Sequence, residues 1–302
     1  MHMALSVVLA TYNEEKNIKD CLSSIKNIAD EVVVVDGSST DKTVQIAQSL
    51  GARVVVTDNP TMFHINKQKA LQQAQGDWIL QLDADERVSK ELAEEIKRVI
   101  AMSEVEIEVY EKNLKEKELF EKHTQLVLSD VILGLDPGIH AFFIPRLNYF
   151  LGKFLRYGGV YPDGVIRLVK KGKGSFPCKD VHELMEIEGK VGWLEHPLLH
   201  YDSPTFKRYL ERNSGYIDFE VEELSLNIKN STQNKKMNMF HVTCYMFYVF
   251  LAWMFVKPIS WFFMTTFRHK GILDGWQGVV FSFFSALRCP RAYIRYQKTQ
   301  KK

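Results

Sequence analysis

Two aspartates one residue apart, Asp83 and Asp85, close an apolar run in "DWILQLDADE". On an extended segment, side chains two apart point the same way, so both carboxylates can face one ligand. Ala84 between them is small enough for close backbone approach. Oxygen ligands at such a point suit Mg2+ or Mn2+, which take one or two carboxylates from a protein and the rest from phosphate and water. A solvated loop carries the same pattern, so the elements around it must decide. Two other stretches have a similar character. "ATYNEE" (10–15) holds Thr11, Tyr12, Asn13 and Glu14, and "DGSSTD" (36–41) opens with Asp36. Both also read as helix starts, since Asn, Asp, Ser and Thr satisfy exposed N–H groups there. Thr40 or Asp41 can do that capping alone, which leaves Asp36 for a base or a ribose.

The first hundred residues alternate between two periods. "LSVVLA" (5–10), "EVVVVD" (31–36), "RVVVT" (53–57) and "DWILQLD" (77–83) are short, apolar and rich in β-branched residues, so they read as buried strands. Between them lie helical patterns: 14–28 with Ile18, Cys21, Leu22, Ile25 and Ile28, a stretch from Asp41 with Val44, Ala47 and Leu50 inward, and 65–75. This alternation predicts an α/β fold, a mostly parallel twisted sheet with helices on both faces. In such sheets the ligand sits beyond the carboxyl ends of the strands. All three polar stretches fall at those ends.

The remainder is less regular. Residues 103–123 alternate Glu and Lys and read as a solvated helix, part of a helical insertion over 103–140. From 141 to 225 short strands and Gly/Pro loops suit an acceptor-side half. The last quarter, 226–302, holds "MFHVTCYMFYVFLAWMFV" (239–256), interrupted by Lys257-Pro258, then "ISWFFMTTF" and "WQGVVFSFFSAL". A spanning helix needs about 20 apolar residues, so the first stretch is borderline and the others fall short. Lysines and arginines flank all three, which favours helices lying in or dipping into an anionic cytoplasmic leaflet. A buried helix pair in a soluble protein is the competing reading. The net charge of +2 over 302 residues argues against a nucleic-acid binder. The four cysteines have no metal-ligand spacing and read as reduced thiols. The opening residues enter a strand at once, so no cleaved leader is expected.

Four segments together, "SVVLATYNEEKNIKDCLSSI", "DEVVVVDGSSTDKTVQIA", "NKQKALQQAQGDWILQLDADE" and "KDVHE", resemble the family 2 glycosyltransferases of GT-A fold, within them the bacterial lipopolysaccharide-core glucosyltransferase-like group. The resemblance spans about residues 4–100 and, less closely, 145–200. It implies a sugar transfer from a nucleotide-diphosphate sugar, UDP-hexose by default; the C-terminal apolar stretches point to a lipid-linked or lipopolysaccharide-type glycan as acceptor, at the cytoplasmic face of the membrane. The resemblance implies roles position by position. Thr11–Glu14 and Asp36 would hold base and ribose, Asp83 would meet the ribose or the metal's waters, and Asp85 would bind the metal. Lys67 would lie near the nucleotide, though a lysine on a helix is commonly just solvated. Arg167 would meet the diphosphate or the acceptor, or be a surface cation. The family draws its catalytic base from a loop in the second half. Of Asp180, His182, Glu183 and Glu186, it is Glu183 that matches, with His182 orienting it or touching phosphate; without the resemblance, this cluster reads as an exposed turn. Two alternatives stand beside this one: a polyprenyl-phosphate glycosyltransferase, and a non-catalytic nucleotide-sugar-binding scaffold at the membrane. A sugar nucleotidyltransferase would carry a glycine-rich loop with an arginine after the first strand, and "ATYNEE" has neither.

Overall fold

A computed structural model describes residues 5–127, 136–179, 184–233 and 239–300. The chain divides into two compact units. One comprises Met1–Leu147 and Pro162–Tyr201, the other Asn148–Tyr161 and Asp202–Lys302.

The first unit is built on a mixed sheet with helices packed on it, as expected of an α/β fold. Its parallel part joins β3 (Arg53–Val56), β2 (Glu31–Asp36), β1 (Leu5–Thr11) and β4 (Trp78–Leu82), in that order. Beyond β4 the order runs on through β8 (Asp163–Lys170), β6 (Ile139–Phe150), β12 (Leu198–Ser203) and β5 (Glu86–Val88). Here β4–β8, β8–β6 and β12–β5 pair antiparallel. β11 (Lys190–Trp193) lies parallel to β6, and β9 (Gly174–Ser175) pairs with β10 (Glu186–Ile187). The two-residue period of these strands serves two cores. Val7, Leu9, Val34, Leu80 and Phe142 point into one cluster, Val8, Val33, Val35, Ile79 and Phe143 into the other. This is why the strand sequences are apolar throughout and not alternating.

Helices α1 (Ile18–Ile25) and α4 (Lys90–Ile100) supply the first cluster, and α3 (His64–Gln73) the second. The helical face of α1 is the predicted one, with Ile18, Cys21, Leu22 and Ile25 buried. In α2 (Thr43–Ser49) the prediction needs correcting: Ala47 is buried, but Leu50 is 44% exposed and Thr43 takes an inner position. The region read as one solvated helix forms two, α5 (Glu104–Lys112) and α6 (Lys117–Val127). Each is anchored inward: Ile107, Leu114 and Phe120 are buried, and Phe120 stacks on Trp193 with ring centres 4.5 Å apart. Dense surface charge masks these widely spaced anchors in the sequence.

The second unit is mainly helical, with β7 (Lys153–Leu155) beside α7 (Phe206–Gln233), α8 (Met239–Leu251), α9 (Lys257–Phe263), α10 (Trp276–Ala286) and α11 (Arg288–Thr299). The expected division at 225/226 falls inside α7, a continuous helix. Its Ile217, Leu224 and Ile228 pack with Val249, Trp253, Ala292, Tyr293 and Tyr296. Lys257-Pro258 does not end the apolar helix. A π-helical turn at Ala252–Val256 ends just before the proline and includes Met254, whose carbonyl an N–H at position 258 would have reached, and a second π-helical turn at Met264–Arg268 follows α9. Met239–Arg268 is therefore one helix of 30 residues, long and apolar enough to cross a membrane, and little of its most apolar stretch is covered.

Candidate functional site

The sheet register brings the predicted residues to one edge. Thr11 pairs with Asp36 across β1 and β2, and Leu9 pairs with Leu82 across β1 and β4, so Asp83 begins the loop beside the end of β1. The Asp36 carboxylate is fully buried. It accepts from Thr11 Oγ1 at 2.8 Å, from the Ser39 hydroxyl at 2.6 Å and from the Ser39 N–H at 2.7 Å. Asn13 Oδ1 accepts from the Thr40 N–H at 2.8 Å, while the Asn13 N–H donates to Ser39 Oγ at 2.8 Å. The Glu14 N–H donates to Thr43 Oγ1 at 2.7 Å. The loops after β1 and β2 are thus latched to each other. Asn13 (φ 56°) and Ser38 (φ 62°) both sit in the left-handed region, a strained conformation that concentrates at binding sites. Tyr12 stands exposed beside them.

Residues 83–85 do not continue the strand. They form a turn between β4 and β5, so the same-face geometry expected of an extended segment is not what forms. The two aspartates have different neighbours. Asp83 Oδ1 lies 2.6 Å from Lys67 Nζ and Asp83 Oδ2 lies 2.5 Å from Arg167 Nη2. Burial acts to raise the Asp83 carboxyl, but the two cations overcome it and hold it well below the usual carboxylate range. Burial draws the Lys67 ammonium down, with Asp83 opposing. Glu86, also fully buried, accepts the Asp83 N–H at 2.9 Å and Arg167 Nη2 at 2.8 Å, with Arg146 Nη1 3.5 Å away. Gln81 Oε1 accepts from Arg167 Nη1. Lys67 and Arg167 are therefore neither solvated nor surface cations. They are held by Asp83 and Glu86 at the end of β4.

Asp85 has a different partner. Its Oδ2 lies 3.5 Å from His200 Nε2, and its backbone carbonyl accepts the Tyr201 N–H at 2.8 Å. Ala84 is buried and its carbonyl accepts from Arg87 Nη1 at 2.7 Å. His200 comes to the turn because β12 pairs with β5, with His200 opposite Glu86. Nothing near "LLHYD" in the sequence signals this; only the long-range strand pairing does. Glu86 and Gln81 were likewise missed, being buried polar residues within strands. A carboxylate oxygen and an imidazole nitrogen this close fit a divalent cation that completes its shell with phosphate and water. Among the described residues no set of three or more His, Cys, Asp or Glu forms a metal cluster. Asp180, His182 and Glu183 lie outside the described residues; Glu186 is in β10.

The family model "Glycosyl transferase family 2" matches residues 6–161. The chain belongs to that family. Several relatives share the designation. An uncharacterized glycosyltransferase of Rickettsia bellii is 48% identical over 98 residues, 32% of this chain and 33% of that protein. The chain thus spans a third of the first of these relatives. One from Rickettsia felis is 27% identical over 93% of this chain and 85% of the relative. The lipopolysaccharide core biosynthesis glycosyltransferase LpsC of Rhizobium meliloti is 26% identical over 73% of this chain and 72% of its own length. Among solved structures, glucosyl-3-phosphoglycerate synthase from Mycobacterium tuberculosis in complex with Mn2+ and UDP-glucose aligns at 30% identity and TM-score 0.26. That alignment covers 28% of this chain and 34% of the synthase.

Proposed function

We propose that the chain is an inverting glycosyltransferase that moves a sugar, by default from UDP-hexose, to a hydroxyl of a lipid-linked or lipopolysaccharide-type glycan. The observation that carries the reading is the Asp83 carboxylate gripped between Lys67 and Arg167 at the edge of the parallel sheet. Such a cluster keeps two cations in place before any ligand arrives, so little ordering is left for the bound diphosphate. The latched loops, with Thr11, Asn13 and Glu14, would receive base and ribose, Asp36 would act by holding those loops through Thr11 and Ser39, and Tyr12 would close over the base. Asp85 and His200 would hold Mg2+ or Mn2+, whose charge offsets that of the departing nucleoside diphosphate. Asp83, with both oxygens engaged, acts by positioning Lys67 and Arg167. Glu183 would accept the proton of the acceptor hydroxyl as its oxygen attacks the anomeric carbon. An α-linked donor would then give a β-linked product. The LpsC likeness supports an envelope glycan as acceptor. The exposed apolar helix Met239–Arg268 supports a place at a membrane; on this reading the protein is monotopic or peripheral and works at the cytoplasmic face.

The test is nucleoside diphosphate release from UDP-, GDP- and dTDP-sugars with Mn2+, with and without EDTA, alongside a thermal-shift measurement of the same mixtures. Binding to the folded state alone raises Tm. Release with one donor class, and a Mn2+-dependent Tm shift lost in both Asp85→Ala and His200→Ala, are expected. Release from none of the donors would favour the non-catalytic scaffold. A shift that survives in both variants would remove the metal assignment.

A further inference from the structure

The second unit contains a cavity of about 300 Å³. Its lining is mixed in chemistry. Phe150, Leu155, Tyr209 and Phe281 give it apolar and aromatic surface, with Phe150 packed on both Tyr209 and Phe281, and Asp202, Ser203, Arg212, Asn213 and Arg288 give it polar groups. Ser203 and Asn213 are only 2% and 3% exposed, yet Ser203 Oγ and Asn213 Nδ2 have no hydrogen-bond partner. An unpaired buried group costs about 1–3 kcal/mol, so two together in one cavity call for an occupant.

The charges narrow its chemistry. Arg212 is ion-paired with Asp202, and Arg288 Nε lies 3.3 Å from Glu220 Oε1 without a hydrogen bond between them. The Arg288 guanidinium is further fixed 5.9 Å from the ring centres of Tyr216 and Trp261. Each carboxylate thus already faces an arginine. What is uncommitted is an amide NH2, the remaining guanidinium N–H groups, a hydroxyl that can donate or accept, and one acceptor, Asp202 Oδ1, which makes no hydrogen bond despite its ion pair. A lining with more donors than acceptors suits an oxyanion that can also donate once, such as a singly protonated phosphate monoester, and guanidinium favours phosphate in particular. A free inorganic anion would make no use of the aromatic surface. α10 supplies Phe281 to that surface and also presents Trp276 and Phe283 exposed, so apolar surface accompanies the cavity.

We propose that this cavity binds the phosphate ester of an amphipathic lipid. The phosphate sits against Asn213, Ser203 and the two arginines, and the start of the apolar chain lies against Phe150, Tyr209 and Phe281. The site does not depend on the transferase reading. A bilayer phospholipid and a glycan's prenyl-phosphate carrier present the same chemistry, and the probes below separate them.

The experiment titrates the full chain in neutral detergent with dioctanoyl phosphatidic acid, farnesyl phosphate, dioctanoylglycerol and inorganic phosphate. Tryptophan fluorescence reports occupancy, because Trp261 Nε1 donates to Ser285 Oγ of the cavity wall at 3.0 Å. At least one of the two lipid phosphates is expected to bind ten times more tightly than the glycerol or the phosphate; whichever is tighter names the source. Arg288→Gln and Asn213→Leu should each weaken it at least tenfold. Asn213→Leu leaves every ion pair intact, so circular dichroism should show it folded even where Arg288→Gln is not. Equal binding of dioctanoylglycerol or of inorganic phosphate would overturn the proposal, as would full affinity in a folded Asn213→Leu.

Discussion

At the scale of single residues, Asp83 decides most. Its carboxylate is the common partner of Lys67 and Arg167, and removing it leaves two cations facing each other with Glu86 alone to compensate. Asp83→Asn should cost roughly 3 kcal/mol, the low end for breaking a buried pair from one side, because this side chain is partly exposed. The effect should depend on pH in a defined direction. A carboxyl held below its usual range stabilises the fold above its unfolded pKa near 4 and loses that contribution as pH falls through the lower folded value. Denaturant titrations of both proteins should therefore show a gap that is constant from pH 7 to 5 and narrows below about pH 4. A gap of the same size at pH 3 as at pH 7 would show that the loss is steric and not ionic. The sequence made Asp83 and Asp85 visible as a pair, through their place after an apolar run. It did not make their division of labour visible, because that is set by a turn at 84–85 and by His200 and Arg167, which lie far along the chain.

At the scale of elements, periodicity was readable where one face is continuously apolar. The four parallel strands and α1 are of that kind. It failed where burial depends on a few anchors. In α5 and α6 the Glu/Lys alternation suggested a solvated helix, whereas Phe120 is almost wholly buried against Trp193. Phe120→Ala should lower stability by about 3 kcal/mol, as expected for a large buried aromatic removed from a core. A change within 0.5 kcal/mol in urea unfolding would restore the solvated reading. The helix through Pro258 failed for a different reason: a proline ends a helix only if its missing bond goes uncompensated, and the π-helical turn just before it is a backbone response that no residue pattern announces. Close packing in the second unit is sharper still. A Cβ on Gly278 would lie 1.9 Å from the Gly271 carbonyl oxygen. Gly278→Ala must move one backbone against another, and a fall in Tm of several degrees is expected by calorimetry; an unchanged Tm would mean that the 271–278 turn is free to shift.

At the scale of the whole molecule, the outstanding feature is apolar surface that no part of the described structure covers. Along Met239–Arg268, Phe240, Phe247, Tyr248, Phe255, Val256, Ile259 and Phe263 are all exposed. A helix of 30 residues is about 45 Å long, longer than the hydrocarbon core of a bilayer, so length alone does not choose between lying on the membrane and crossing it. The net charge of +2 gives the chain as a whole little attraction to an anionic surface, so either the lysines and arginines flanking these helices or the apolar face must do the holding. If the apolar face does the holding, binding should persist when the charges are screened. The full chain is expected to float with vesicles of mixed neutral and anionic lipids at 0.1 M NaCl and to keep at least half of that binding at 0.5 M, where the screening length is well under 10 Å. Phe247→Lys and Phe255→Lys each replace an exposed ring, worth about 2 kcal/mol when buried in an apolar phase, by a charge. Each should weaken flotation at least tenfold while circular dichroism stays unchanged. Binding that disappears at 0.5 M salt, or that survives both substitutions together, would mean that the lysines and arginines flanking these helices hold the protein to the lipid and that the aromatic face has another partner.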